Sequence, residues 1–336
     1  MHKLFQSIQL KEDSKSKVEL FCQQWDDDVP MSIQTSGSTG KPKVITFTKA
    51  NFIVSAQKTI AFFDLQEDTN ALLCLSPDSI GGKMMLVRAL VGNYSLYITE
   101  PSLDPLEHIT VPIDFVALVP TQVAHILKNP SSLSKLKAIR NILIGGADIP
   151  LELSEQLLSH GIRAYQSFGM TETVSHVALR EIGKETAYQA LPGIHFTATS
   201  DNCLTIHYPE LNTQAIQTTD CVELLSGHAF LWKGRTDFVI NSGAKKIHPE
   251  ELEQRLSPFI TGRFFLSSIP HPLWGEALVL LTEELNSLNK MDLVLYFSSY
   301  EIPKFIQTVP MILTRNGKIQ RTLTFEQTTS DAWQSL

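Results

Sequence analysis

Short apolar runs recur along the first half of the chain, separated by stretches whose apolar positions follow a helical spacing. "ALLCLS" (71–76) reads as a buried strand and "GKMMLVRALV" (82–91) as a helix. "YSLYIT" (94–99) and "DFVALV" (114–119) are again strand-like, and Thr121 is placed to cap the helix "QVAHILKN". "NILIGG" (141–146) returns to strand. Pro150 then opens the helix "LELSEQLLSH" and Gly161 closes it, because proline suits a first helical turn and glycine a helix exit. "IRAYQSF" (162–168) is the next strand. Strands alternating with helices of this length predict βαβ units, and so an α/β fold with layered, largely parallel sheets and helices.

After about residue 190 the texture changes. Short β-like pieces, "CLTIHY" and "CVELL", lead to "AFLWKGRTDFVINSG". The helix "PEELEQRLSPFI" follows, with Pro249 near its first turn and glutamates where they oppose the helix dipole favourably. "RFFLSSI", "EALVLLT" and "DLVLYFSS" complete a small α+β module. The expected organisation is a large domain over 1–236 and a small C-terminal domain over 237–336, with the boundary at Asp237. No internal repeat or low-complexity segment interrupts either.

Composition narrows the function classes. The 336 residues, 43% of them hydrophobic, suffice for two cores, and the net charge of −7 excludes a general nucleic-acid binder. Cys22, Cys74, Cys203 and Cys221 show no CxxC spacing. They read as buried or incidental thiols in a reducing compartment, not as a disulfide frame or zinc site. The first twenty residues lack the apolar centre of a signal peptide, and no run approaches the roughly 18 apolar residues of a membrane helix. The expectation is a cytoplasmic protein without membrane insertion, for which a homo-oligomer stays open.

The chemistry starts at "TSGSTGKPK" (35–43). Backbone N–H groups in a Gly/Ser/Thr loop can converge on an anion, with hydroxyls and a lysine adding donors. A polyphosphate fits; so does a plain surface turn. The stretch is not a P-loop, because Pro42 follows Lys41 where that pattern needs Ser or Thr. Three further stretches follow in order: "SFGMTET" (167–173), "GRTDFVINSGAKKIHPEELE" (234–253) and "TRNGKIQR" (314–321). Together the four resemble the signature set of the acyl-adenylate-forming superfamily, which includes acyl-CoA synthetases, peptide-synthetase adenylation domains and luciferases.

That resemblance implies ATP, Mg²⁺ and coenzyme A as cosubstrates and a small carboxylic acid as partner. A carboxylate is a poor acyl donor; attack on the α-phosphorus of ATP converts it to a mixed anhydride and releases pyrophosphate. By resemblance, Thr35, Ser36, Gly37, Ser38, Thr39, Gly40 and Lys43 hold the β- and γ-phosphates. Gly145, Gly146 and Ala147 in "IGGAD" let backbone approach the nucleotide, and Phe168 and Gly169 lie against adenine. Thr171 bonds the α-phosphate, and Glu172 holds the metal. Asp220 and Arg235 take the ribose. Lys318 meets the charge developing during adenylation. Asp237 is the hinge, and Gly243 and Ala244 line the pantetheine tunnel after the small domain swings.

Two departures bear on the acid. The phosphate loop begins at Thr35, where the family has a long N-terminal lead, so the large domain is expected to be N-terminally shortened; Val44 also replaces a glycine. In "SPDSIGGKMMLVRAL" (76–90), Ser79 falls where the family often has histidine. This segment and "GMTETVSHVALR" (169–180) are similar to o-succinylbenzoate–CoA ligases of menaquinone biosynthesis. That acid has a second carboxylate, which needs a cation near an apolar wall. Arg88 is the first candidate, for its forked guanidinium, with Lys83 beside it and Ser79 near. Thr173 and His176 are further candidates for acyl contact. Another aryl- or fatty-acid ligase, an enzyme serving a carrier protein, and a non-catalytic acyl-AMP or ATP sensor remain the competing readings.

Overall fold

In the computed structural model, residues 2–34, 44–211, 214–242, 245–284, 293–313 and 319–336 are described. The chain enters through strand β1 (Phe5–Ile8), helix α1 (Glu12–Asp26) and an antiparallel pair, β2 (Met31–Gln34) and β3 (Val44–Phe47). Helix α2 (Lys49–Phe63), β4 (Asn70–Leu73), α3 (Ile80–Gly92), β5 (Ser95–Thr99) and β6 (Phe115–Leu118) follow. Next come α4 (Pro120–Ile126), α5 (Pro130–Ala138), β7 (Asn141–Ile144), α6 (Leu151–Ser159) and β8 (Tyr165–Gly169). A run of strands then closes the first body: β9 (His176–Glu181), β10 (Tyr188–Ala190), β11 (His195–Ala198), β12 (Cys203–His207), β13 (Ile216–Ser226) and β14 (Ala229–Arg235).

These strands form one twelve-stranded sheet in the order β1-β5-β4-β6-β7-β8-β9-β10-β14-β13-β12-β11, with β2 and β3 apart. From β1 to β8 every pairing is parallel; from β8 onward every pairing is antiparallel. The parallel strands are apolar on both faces because helices cover both. Ala71, Leu73, Phe115, Ala117 and Leu143 point into one core with α1, α2 and α3. Their neighbours Leu72, Cys74, Val116, Leu118, Ile142 and Ile144 point into the other with α4 and α6. This is the period-two alternation of a strand, read on two buried sides. The N-terminal segment completes the sheet edge: β1 pairs β5, and Val18, Phe21 and Trp25 of α1 enter the first core.

Local chemistry sets the element ends. Thr48 accepts from the Asn51 amide and Asn51 returns the bond to Thr48 N, a capping box for α2. Helix α4 starts two residues earlier than Thr121 would allow as a cap. Pro120 fills its first turn, and Gln122 Oε1 accepts from Val119 N at 3.1 Å. Asn129 then caps α5, accepting from Ser131 N.

The second body consists of β15 (Ile240–Ser242), β16 (Lys245–Ile247), α7 (Pro249–Leu256), β17 (Phe264–His271), β18 (Gly275–Thr282), β19 (Phe305–Thr308), α8 (Arg321–Phe325) and β20 (Gln334–Ser335). Its mixed sheet buries Ile240, Ile247, Leu266, Leu278 and Leu280 against Leu252 and Leu256 of α7. Leu293 and Phe297, from "DLVLYFSS", add to that core from a helical end and turns rather than from a strand. All four cysteines are free thiols. Among the described residues no helix is long and apolar enough to cross a membrane.

Candidate active site

In an open parallel sheet, ligands gather beyond the carboxyl ends of the strands. Gly145, Gly146 and Ala147 leave the end of β7, Phe168 and Gly169 end the adjacent β8, and the Ser79 segment follows β4. Gly169 is sterically required by backbone, and Gly145 is crowded by a serine hydroxyl. A Cβ on Gly145 would lie 2.4 Å from Ser167 Oγ, and one on Gly169 would lie 2.5 Å from the Ser175 carbonyl oxygen.

Beyond Gly169 the backbone turns sharply. Thr171–Thr173 makes a single 3₁₀ turn, and Thr173 is spent on holding it: its hydroxyl donates toward the carbonyls of Met170 and Ser175 and accepts from Met170 N. Val174 follows at φ 64°, ψ −50°, with Ser175 N bonded to Thr173 O at 2.7 Å. That is a γ-turn of the strained hand, at a β-branched residue, a conformation costing on the order of 1–3 kcal/mol. The consequence is geometric: Glu172 faces outward while Ser175 and His176 turn in.

The exposed Glu172 lines a cavity of about 370 Å³ with Ile45, Thr46 and Phe47 of β3, Asn51 of α2, Leu211 and Ile216. β3 is the strand that resumes after 35–43. Thr35, Ser36, Gly37, Ser38, Thr39, Gly40 and Lys43 lie outside the described residues, as do Gly243, Ala244 and Lys318. A lone exposed carboxylate suits Mg²⁺, which takes one or two protein oxygens and fills its remaining positions with phosphate and water. Among the described residues no group of three or more potential metal ligands occurs.

Phe168 is half-buried, edge-on to Phe230 at 5.0 Å and tilted against Tyr188 at 5.5 Å. Asp220 and Arg235 are direct partners across the β13–β14 ladder. Asp220 Oδ1 accepts from Trp232 Nε1 at 2.9 Å. Arg235 forks onto Asp237 Oδ2, at 2.7 Å from Nη2 and 3.2 Å from Nε, and also donates to Thr219. Asp237 itself sits in the 3₁₀ turn Thr236–Phe238 between the two sheets.

On the opposite side of the 171–175 turn lies Arg88, only 2% exposed on α3. Its Nη2 donates to Ser175 Oγ at 2.8 Å and its Nη1 approaches Met85 Sδ at 3.8 Å; Nε has no partner among the described residues. No ion pair among the described residues offsets the guanidinium there, and burial pushes its pKa down to about 10, so it stays charged at neutral pH. His176 is buried beside it, held between Ser175 and Thr59. Lys83, five positions before Arg88, is half-buried on a different side of the helix, its pKa lowered by burial. Ser79 caps α3, accepting from Gly82 N at 3.1 Å and donating to Ser76 O at 2.7 Å.

The family model described as AMP-binding enzyme matches residues 4–198. The chain belongs to the AMP-binding enzyme family. It is 28% identical over 333 residues to the 2-succinylbenzoate–CoA ligase of Haemophilus influenzae, covering 91% of this chain and 72% of that one. To the Escherichia coli protein of the same name it is 31% identical over 236 residues, covering 66% and 51%. Among the curated relatives it matches, the chain thus spans from about half to just over two thirds of their length. A solved structure from Dyadobacter fermentans, an acyl-CoA synthetase (AMP-forming)/AMP-acid ligase II-like protein, superposes with a TM-score of 0.65 at 35% identity. It covers 95% of this chain and 96% of its own.

Three features of this AMP-binding enzyme go beyond the sequence reading, in which His176 is only a candidate for acyl contact. Val174's conformation has no signature in its residue type. Ser175 and His176 stood inside "GMTETVSHVALR", but their partners come from α2 and α3. Arg321 closes the "NGKIQR" stretch and binds Glu253 through two hydrogen bonds, of 2.7 and 2.5 Å, between the rings of Phe238 and Phe265. It ties the start of α8 to α7 and to the turn at Asp237.

Proposed function

We propose that this chain is an AMP-forming acid–CoA ligase whose acid is 2-succinylbenzoate (o-succinylbenzoate), acting in menaquinone biosynthesis. The succinyl carboxylate attacks the α-phosphorus of ATP, pyrophosphate leaves, and the thiol of coenzyme A then displaces AMP from the mixed anhydride. The observation that supports this acid is the buried, uncompensated guanidinium of Arg88. A buried unpaired charge is unfavourable by several kcal/mol, so the site favours a ligand that brings an anion to it. The ring carboxylate of 2-succinylbenzoate is that anion; a long-chain fatty acid has none to offer. The two curated relatives of that name support the same choice.

In this reading Thr171 bonds the α-phosphate, Glu172 holds Mg²⁺, and the 35–43 loop grips the terminal phosphates. Bound Mg²⁺ would neutralise charge on the transferring phosphate. Gly145 and Gly169 keep the crevice open to the nucleotide, Phe168 lies against adenine, and Asp220 and Arg235 serve the ribose. Arg235 would have to release Asp237 to do so, which couples the sugar to the turn about which 237–336 pivots. Gly243 and Ala244 then line the thiol's path.

The test is ATP–pyrophosphate exchange across a panel of acids, followed by mass identification of any thioester formed with coenzyme A. Exchange with 2-succinylbenzoate and not with benzoate or palmitate is expected. Exchange supported by palmitate would shift the reading to a fatty-acid ligase, and exchange with no acid would favour a sensor.

A further inference from the structure

The contacts around Arg88 form a directional chain. Thr59 Oγ1 donates to the Ser55 carbonyl at 3.5 Å, one turn back in α2, so toward His176 it acts as an acceptor. His176 Nε2 lies 3.1 Å from it, and with the Thr59 hydroxyl accepting there the ring proton sits on Nε2. Nδ1 is then a lone pair, and Ser175 Oγ lies 3.3 Å away to donate to it. With its own proton committed, Ser175 Oγ presents lone pairs to Arg88 Nη2 at 2.8 Å. Thr59 is fully buried and His176 is 7% exposed, so water does not compete for the bond between them.

We propose that His176 is a positioning residue for recognition of the acid: held by Thr59 as the Nε2–H tautomer, it orients the Ser175 hydroxyl so that this oxygen anchors one edge of Arg88. The Nε–H of Arg88, which has no partner among the described residues, is thereby left for the ligand's second carboxylate. If Nδ1 held the proton instead, Ser175 Oγ would accept from both the ring and Arg88, its own proton would be left without a fixed acceptor, and His176 would no longer set the orientation of the hydroxyl. Burial and the adjacent Arg88 charge both keep His176 neutral, consistent with a fixed tautomer. The inference rests on the preceding assignment of Arg88 to the ring carboxylate.

The experiment compares kcat/KM for 2-succinylbenzoate with that for 4-oxo-4-phenylbutanoate, the same acid without its ring carboxylate. H176F should cut the preference for the diacid about tenfold, the size of one charge-assisted hydrogen bond, chiefly through KM. H176N, whose side-chain oxygen replaces the Nδ1 lone pair, should restore most of it. T59V, with Ser175 and Arg88 untouched, should shift the ring toward the Nδ1–H tautomer, read in the ¹⁵N spectrum of labelled histidine, and lower the same preference. A wild-type enzyme with no preference for the diacid would overturn the reading of Arg88 and this inference with it. A wild-type preference that H176F and T59V both leave intact would overturn this inference alone. Equal loss on both acids would mean that His176 only supports the fold.

Discussion

Gly234 and Glu250 meet at the junction of the two sheets so closely that a Cβ on the glycine would lie 2.5 Å from Glu250 Oε2. Gly234 also sits at φ +137°, which residues with side chains rarely adopt. The carboxylate is 7% exposed, and its Oε2 has no hydrogen-bond partner among the described residues. Burial pushes its pKa from the ordinary 4.5 up to about 7, with Arg321 opposing the shift and Glu253 adding to it. Because the folded value is raised, the native state binds the proton more tightly. The contribution to stability is fully present below pH 4.5 and is lost as pH rises through 7. Replacing Glu250 by Gln should flatten the stability profile between pH 5 and 7 and raise stability at pH 8 by about 2–3 kcal/mol. Chemical denaturation at pH 5 and 8 measures this. Identical slopes in wild type and variant would show that the carboxyl is not held protonated.

Arg88 separates stability from function. Arg88→Met removes a buried charge that no carboxylate among the described residues offsets and substitutes an apolar chain beside Met85. The protein should keep its stability or gain about 1–3 kcal/mol. The KM for 2-succinylbenzoate should rise by about 30-fold or more, equivalent to roughly 2 kcal/mol of lost anion contact, with the KM for ATP little changed. A melting curve and two titrations suffice. Parallel loss of stability and of both KM values would mean that the guanidinium serves the core.

Ser79 is already engaged as donor and acceptor by the helix it starts. Its oxygen accepts from Gly82 N and its proton goes to Ser76 O. A Cβ on Gly82 would lie 2.0 Å from that same Ser76 carbonyl, so the turn packs against its own cap. Ser79→Ala should therefore cost about 1 kcal/mol of stability and leave the KM for the acid unchanged. A KM increase without a stability loss would return Ser79 to the acid site.

Much of the fold could be read locally. The strand at 94–99 appears as Ser95–Thr99 and the helix opened by Pro150 as Leu151–Ser159, because period and punctuation lie within each segment. β1 was not legible, since only its pairing with the distant β5 makes it a strand. Proline at the first helical position overrode Thr121 as a cap. The acid side of the site was the least legible part, for the same reason as β1. Thr59 and His176 are separated by 117 positions and Arg88 and Ser175 by 87, so the hydrogen-bond chain exists only once α2, α3 and β9 pack together. Spacing did separate Lys83 from Arg88: five residues rotate about 140° around a helix, and only Arg88 is fully turned inward.

The reach of Lys318 depends on what anchors its segment. Arg321, three positions later, is clamped to both oxygens of Glu253 and lies over Phe238, which fastens α8 to α7 within the expected 237–336 module. If that module turns about Asp237 after adenylation, the ammonium leaves with it and the thiol takes its place. An ammonium that acts only on the charge of the first step is dispensable for the second. Lys318→Ala should slow ATP–pyrophosphate exchange by about 10²–10³, the loss seen when one preorganised charge-stabilising donor is deleted. Supplied acyl-AMP and coenzyme A should still yield thioester at close to the wild-type rate. Both half-reactions can be followed separately, one by labelled pyrophosphate and the other by thioester absorbance. Equal slowing of the two would mean that Lys318 holds the nucleotide throughout, and the alternation of two sites about Asp237 would lose its support.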